Sequence, residues 1–268
     1  MKKLSLTLFC IAFAISGCSN VEKVNRHKIT LGAHPAVTPV DRTKPSWWQP
    51  RHAEVVERVK QGDVDLLMIG DSITHRWERQ GDGKEIWDKY YAPRNAVNMG
   101  FGGDRTQHVL WRLENGEIDG ISPKLAVLMI GTNNSNRQDY TAEEIADGII
   151  AICQKLRAEL PTTKILILAI FPRGSAEQRK IKNAPATFNP QWAKNNKASK
   201  RASKIADNKW IYYLDINKKF LDENGALTRE VMPDLLHPNG DGYEVLGRNF
   251  AAIVWPKLRR MMEGRVEW

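Results

Sequence analysis

Cysteine is scarce in this chain: three among 268 residues, at positions 10, 18 and 153. Three thiols so placed build no disulfide framework, which sets aside the small disulfide-stapled folds. No apolar run is long enough to cross a ~30 Å hydrocarbon core as a helix, so a multi-span membrane protein is excluded. The chain has no His-Glu-x-x-His pair and no Cys/His cluster with zinc-ligand spacing, so neither a metal nor another cofactor is expected. Internal repeats are missing, and 19 Gly and 13 Pro are too few for a collagen-like or low-complexity chain. Acidic residues run short, 31 against 40 basic, for a formal net charge of +9. What is present is 42% hydrophobic and 26% charged residues, the balance of a soluble, ordered domain with a sizeable core.

The start of the chain reads as an address. Lys2 and Lys3 precede the uncharged, mainly apolar stretch Leu4 to Ser16, and Gly17-Cys18 follows. A basic start, an apolar stretch and small residues before a cut describe a secretory signal over residues 1–17. Ile15-Ser16-Gly17-Cys18 resembles the bacterial lipobox, which implies cleavage before Cys18 and lipidation of its sulfur. The alternative is a secreted protein with an incidental cysteine there. The expected product is an exported lipoprotein, membrane-anchored on the periplasmic face or the cell surface. Residues 18–50, punctuated by Pro35, Pro39, Pro45 and Pro50, read as a lipidated tether that wraps onto the domain, with Trp47 and Trp48 pinning its end. Residues 51–268 read as the domain itself.

Within that domain, short runs rich in aliphatic residues recur at Val64–Ile69, Ala96–Met99, Leu125–Ile130, Ile165–Ile170 and Ile211–Ile216. Near-continuous apolar runs are expected of strands in a parallel sheet covered on both faces. Helical patterns lie between them, the clearest from Glu143 to Leu160, with Ile145, Ile149, Ile152 and Leu156 on one face and Pro161 beyond. Cys153 falls among these residues and reads as a small core side chain. A last helix is expected from about Asp241, carrying Tyr243, Leu246, Phe250 and Ile253, with Pro256 bending or ending it. The alternation predicts one α/β domain with a five-stranded parallel sheet.

Ligands of such sheets bind outside the carboxyl ends of the strands, and three strand ends here are loaded with polar or glycine residues. Gly70-Asp71-Ser72 follows the first run, Gly102-Gly103-Asp104 the second and Gly131-Thr132-Asn133-Asn134 the third. Ser72 is a helix cap or a nucleophile on the tripeptide alone. Gly102-Gly103 allows close backbone approach to a ligand, and Asn133 offers a neutral amide donor. Donors at adjacent strand ends beside a serine are what acyl transfer requires for its developing oxyanion. The serine needs a base. His27 and His34 lie in the tether, His52 at a helix start, and His75 and His108 in helical stretches. His237 lies in the loop Asp234-Leu235-Leu236-His237-Pro238, where Asp234 can fold back onto its ring and orient it.

These stretches resemble the four blocks of the SGNH hydrolases, also called GDSL esterases, in order: Gly70-Asp71-Ser72-Ile73, Gly103, Gly131-Thr132-Asn133-Asn134 and Asp234-Leu235-Leu236-His237. Within that family the segment from Gly102 to Gly116 is most similar to the catalytic subunits of intracellular platelet-activating factor acetylhydrolase. The resemblance covers about Val64 to Leu258 and implies a flavodoxin-like three-layer α/β/α sandwich and a metal-independent serine esterase. It implies Ser72 as nucleophile, His237 as base, Asp234 as its orienter, and the Ser72 N–H, Gly103 N–H and Asn133 side chain as oxyanion hole. Ile73 stands in place of the leucine in the family's name. Residues from about Lys180 to Pro190 look like an extra loop relative to that branch.

The positive charge is local. Nine basic residues and one acidic, Glu177, lie between Arg173 and Lys204, and the rest of the chain is close to neutral. That argues against a nucleic-acid partner and leaves either a rim that steers an anionic glycan or a solvated helix face. Candidate substrate contacts are Asp71, Arg105, Asn134, Phe188 and Trp192, the last two as aromatic surfaces for sugars. The expected activity is removal of acetyl or similarly short acyl groups from carbohydrate. The alternatives are a lipid-directed acetylhydrolase or lysophospholipase, and a lipoprotein that binds glycan without catalysis.

Overall fold

The computed structural model describes residues 28–136 and 140–249. The signal segment, Cys18, Phe250, Ile253 and Pro256 lie outside the described residues. Five strands, β1 (Leu66–Gly70), β2 (Ala96–Gly100), β3 (Leu125–Met129), β4 (Lys164–Leu168) and β5 (Ile211–Leu214), pair in the order β2-β1-β3-β4-β5, every neighbour parallel. Each of the five apolar runs is one of these strands to within two residues at either end. The runs are nearly continuous because alternate residues serve opposite faces. Leu67, Ile69, Ala126, Leu128, Ile165 and Ile167 join one core. Leu66, Met68, Leu125, Val127, Leu166 and Leu168 join the other.

The helices are α1 (Trp48–Lys60), α2 (Ser72–His75), α3 (Lys84–Tyr90), α4 (Thr106–Glu114), α5 (Thr132–Ser135), α6 (Ala142–Glu159), α7 (Ala176–Lys180), α8 (Pro190–Ala202) and α9 (Gly240–Asn249). Packing on both faces makes the three-layer sandwich. The longest, α6, starts at a capping box: Thr141 Oγ1 accepts from the Glu144 N–H (3.1 Å), and Glu144 Oε2 accepts from the Thr141 N–H (2.8 Å). Its Ile145, Ile149, Ile152 and Leu156 are buried, each contributing about 1.5–3 kcal/mol on transfer from water. Cys153 is buried among them, and burial pushes its thiol well above the ordinary range.

Two expectations need correction. The boundary at 50/51 falls inside α1, so the wrapping segment before it runs into the domain's first helix as a strap that shares its core. Ala36 and Val37 are fully buried in the core, Thr106 Oγ1 donates to Ala36 O (2.7 Å), and the Val40 N–H donates to Gln107 O (3.3 Å). Its prolines mimic a linker, yet its few apolar side chains find a core and its backbone finds partners. Trp48 is fully buried as expected, whereas Trp47 is 39% exposed.

Candidate active site

The strand order reverses direction of travel at β1, with β2 on one side and β3 on the other, so the crevice lies over the ends of these three strands. All three loaded loops open there. Ser72 is the first residue of α2, and Asp71 caps that helix by accepting from the Ile73 N–H (3.0 Å). The close approach of α2 to the sheet requires glycine at the end of β2. A Cβ on Gly100 would lie 2.1 Å from the His75 nitrogen.

The chain brings His237 to Ser72 across 165 positions: Ser72 Oγ and His237 Nε2 are 2.8 Å apart. On the far side of the ring, His237 Nδ1 lies 2.7 Å from Asp234 Oδ2, and Asp234 Oδ1 accepts from the backbone N–H groups of His237 (2.7 Å) and Leu236 (3.1 Å). Partial burial alone would raise the Asp234 carboxyl. The hydrogen bonds from His237, with the charges of His237 and Arg179, overcome it and hold the carboxyl well below the usual range. Arg179, in α7 just before the extra segment, donates through Nε to the Asp234 carbonyl (2.8 Å) and through Nη2 to Oδ2 (3.1 Å). Arg229 ties that segment to the acid loop, donating to Ala184 O (3.0 Å), Ile181 O (2.7 Å) and Pro233 O (2.7 Å).

Opposite the acid loop lies the glycine loop after β2. Gly103 holds φ +78°, a conformation that favours glycine, and the Arg42 guanidinium of the strap would sit 3.3 Å from a Cβ placed there. Arg42 Nη1 donates to Gly102 O (2.9 Å) and to Asp104 Oδ1 (3.0 Å). Asp104 is fully buried and also accepts from Trp48 Nε1 (2.7 Å) and Arg112 Nε (3.0 Å). Arg112 continues to Glu117, Met99 O (3.2 Å) and the face of Phe101, and Glu117 to His52 Nδ1 (2.9 Å). Asn133 Nδ2 donates to Asp104 O (2.9 Å), fixing the amide beside the glycine loop.

The structure therefore brings Ser72, Asp234, His237, Gly103 and Asn133 to one crevice. Four of the five candidate substrate contacts are otherwise employed. Asp71 is buried under α2, and burial, reinforced by Asp104, raises its carboxyl to about 7. Asn134 is fully buried and braces α4: its Oδ1 accepts from the Thr106 N–H (3.2 Å), and its Nδ2 donates to Gln107 Oε1 (3.3 Å). Arg105 lies over the Tyr140 ring, 5.8 Å from its centre. Trp192 is 4% exposed, because the face of α8 that carries it packs on the sheet. Phe188, 64% exposed, rests its ring on Trp192 (5.6 Å) and does not line the cleft beside Ser72.

That cleft, about 610 Å³, opens beside the nucleophile and is lined by Trp47, Arg51, Ser72, His75, Arg76, Glu78, Arg79 and Gly102. His75 Nδ1 accepts from the Gly102 N–H (3.3 Å). Burial, with Arg51 and Arg76 nearby, lowers its ring to about 4, so it is neutral near pH 7. His108 is likewise structural, accepting from the Arg105 N–H (2.9 Å), and burial takes it to about 3. The basic segment is largely engaged with the protein itself. Buried Arg173 donates to Thr132 O (3.0 Å) and Asn136 Oδ1 (3.1 Å), Lys197 pairs with Glu143 (2.8 Å) and Arg201 with Asp147 (3.4 Å). Arg42, Arg179 and Trp47 were not singled out as site residues from sequence, since no local spacing links them to Ser72.

Residues 68–245 match the model of the GDSL-like lipase/acylhydrolase family. Platelet-activating factor acetylhydrolase IB subunit alpha2 of Rattus norvegicus is 37% identical over 220 residues, 81% of this chain and 87% of that one. A GDSL-like lipase of Bacteroides thetaiotaomicron superposes with a TM-score of 0.59 at 19% identity, covering 80% of this chain and 97% of its own. A carbohydrate acetylesterase of Sinorhizobium meliloti superposes with a TM-score of 0.54 at 16% identity, covering 72% and 99%. By sequence match, sheet order and the placement of its loops, this chain belongs to the GDSL-like lipase/acylhydrolase family.

Proposed function

We propose that this protein is a serine esterase that removes acetyl or similarly short acyl groups from carbohydrate. The observation that carries the chemistry is the unbroken relay from Ser72 Oγ through His237 to Asp234, with contacts of 2.8 and 2.7 Å. In this reading Ser72 Oγ attacks the ester carbonyl while His237 Nε2 takes its proton, and Asp234 holds the ring and stabilises the imidazolium. The negative charge on the carbonyl oxygen is met by the N–H groups of Ser72 and Gly103 and by the Asn133 amide. Collapse of the tetrahedral intermediate expels the alcohol, which takes the proton from His237. Water, deprotonated by the same ring, then releases the acid.

The substrate class rests on the cleft beside Ser72. Trp47 is the one large apolar side chain in its lining, and six of the other seven residues are polar or charged. Such walls suit a hydroxylated alcohol better than a hydrocarbon chain. The acetylesterase name of the S. meliloti fold neighbour points the same way, and the acetylhydrolase name of the rat relative supports a short acyl group. That same relative favours a second reading, an acetylhydrolase of lipid substrates. Export and anchoring through lipid on Cys18 complete the proposal, supported by the Ile15-Ser16-Gly17-Cys18 sequence.

Acetate release from a panel of acetylated oligosaccharides and an acetylated phospholipid, wild type against Ser72→Ala, tests this. The expected result is turnover of sugar acetates above the lipid, lowered about 10⁴–10⁶-fold in the variant. Preference for the lipid supports the second reading, and undiminished turnover by Ser72→Ala overturns both. Labelling of Ser72 by a fluorophosphonate separates either from a non-catalytic glycan binder.

A further inference from the structure

The cleft is lined by the indole of Trp47 at the end of the strap, by Arg51 of α1, and by His75, Arg76, Glu78 and Arg79 from α2 and the turn after it. An indole 39% exposed beside a nucleophile is unusual enough to need a reason, and nothing in the core requires it there. It is held in place. Its ring centre lies 5.4 Å from that of His75 at an interplanar angle of 53°, its Cζ2 and Cη2 lie 3.5 Å from the Cβ position of Gly102, and the next residue, Trp48, is buried and bonded to Asp104. A flat apolar surface is thus fixed before any ligand arrives, and little rotamer freedom remains to be lost on binding.

The rest of the lining offers donors. Arg76 and Arg79 share one carboxylate, Asp82 Oδ2, at 3.9 and 3.6 Å, and neither hydrogen-bonds to it. Arg79 is 62% exposed. A pyranose ring has an apolar C–H face that lies on an indole, and equatorial hydroxyls on its rim that accept from guanidinium groups. An alkyl chain in this cleft would meet one aromatic surface and otherwise mainly polar or charged groups. A cleft of about 610 Å³ also exceeds what an acetyl group fills, so it suits the alcohol half of the ester.

We infer that Trp47 is the platform on which the sugar ring of the alcohol half lies while its acyl group sits at Ser72, with the rim hydroxyls held by Arg76 and Arg79. The inference rests on the carbohydrate-esterase reading above and specifies where that substrate binds.

The test compares kcat/KM on an acetylated methyl xyloside and on ethyl acetate, whose alcohol is too small to reach the indole. Trp47→Ala should lower the xyloside/ethyl acetate ratio of kcat/KM at least tenfold, mainly through KM on the sugar, and Trp47→Phe should restore most of it. Equal falls on both esters would show that Trp47 only supports the glycine loop, and an unchanged ratio would show that the ring lies elsewhere; either overturns the platform. Thermal melting reports whether the alanine variant folds; if it does not, Trp47→Leu, which fills the space without a flat face, carries the comparison and should lower the ratio likewise. A wild-type enzyme that prefers acetylated phospholipid to every sugar acetate overturns the carbohydrate reading itself, which separates that failure from failure of the platform.

Discussion

The carboxylate of Asp104, behind the glycine loop, is fully buried between Arg42, Arg112 and the Trp48 indole N–H, whereas that of Asp234, behind His237, is 42% exposed and touched by Arg179. The two stand on opposite sides of Ser72, and their environments push them in opposite directions. Burial raises the Asp104 carboxyl, against the opposing pull of Arg112, Trp48 and Arg42. At Asp234 the hydrogen bonds from His237 and the charges of His237 and Arg179 outweigh a milder burial, and the carboxyl falls. A carboxylate without water must be surrounded by permanent partners, so Asp104 is an architectural charge whose loss is felt throughout the loop. A carboxylate with water on one side can be tuned by a single neighbour, so Asp234 is a chemical charge. The difference predicts that disturbing the first costs folding and disturbing the second costs turnover.

The largest effect expected on this comparison is at the chemical end. Asp234→Asn keeps an oxygen for the backbone N–H groups of Leu236 and His237 but no longer holds the ring in the needed tautomer. Turnover should fall about 10⁴-fold, close to 5 kcal/mol of barrier, while folding stability falls by only about 1–2 kcal/mol, the half-exposed carboxylate's pairing being partly screened. Steady-state rates and urea unfolding on the same sample decide it. A variant that is slow because it is unfolded would erase the distinction between the two carboxylates.

At the architectural end, Arg112→Ala leaves Asp104 and Glu117 buried and opposed, with Met99 O and the Phe101 face also abandoned. Breaking a buried pair in this way costs about 3–5 kcal/mol. The expected result is a urea midpoint shifted by that amount, with residual activity in proportion to the folded fraction. A loss under about 1 kcal/mol would mean that the network tolerates solvent and that Asp104 is no more architectural than Asp234.

How far each side was legible in the sequence follows from the same contrast. The strands were readable because β1, β3 and β4 are apolar on both faces, and Gly70-Asp71-Ser72 stood out because a polar turn ended such a run. Asp234 and His237 were readable because only two residues separate them. A wrap before α1 was read from Trp47 and Trp48, but its hold on the site was not, since prolines at 35, 39 and 45 give no periodicity and its contacts to Asp104 span some sixty positions. Arg179 reaches Asp234 over 55 positions and carried no local sign of it. Trp192 was misjudged for a subtler reason. The buried face of α8 includes Asn195 and Ser199, which read as solvent-facing, yet Asn195 Nδ2 donates to Phe171 O (3.2 Å) and Ser199 Oγ accepts from the Ile170 N–H (2.9 Å). Polar side chains that satisfy strand-end backbone hid an inward face.

Arg42 sits between the two extremes, with its side chain 20% exposed and one hand on each of Gly102 and Asp104. Asp104 keeps Arg112 and Trp48 when Arg42→Ala is made, so stability should change by about 1 kcal/mol or less. The glycine loop loses its clamp, and a donor to the oxyanion that is no longer held costs up to about 10²-fold in kcat. A fall of about 10- to 100-fold in kcat with KM within threefold is expected. A change confined to KM would place Arg42 in substrate binding instead.

The smallest effect is the most diagnostic for Asp234. Removing Arg179 leaves Asp234 with its hydrogen bonds from His237 but without the guanidinium charge, so its carboxyl rises towards the ordinary range and still stays ionised near neutral pH. Arg179→Ala should therefore lower kcat by about threefold to tenfold with KM within about twofold, through an acid loop less firmly held. Arg179→Lys should recover only part of that loss, because an ammonium restores the charge but cannot span the Asp234 carbonyl and carboxylate together. An unchanged kcat in Arg179→Ala would make the Arg179 contact a brace for the neighbouring loop, and the tuning of Asp234 would belong to His237 alone.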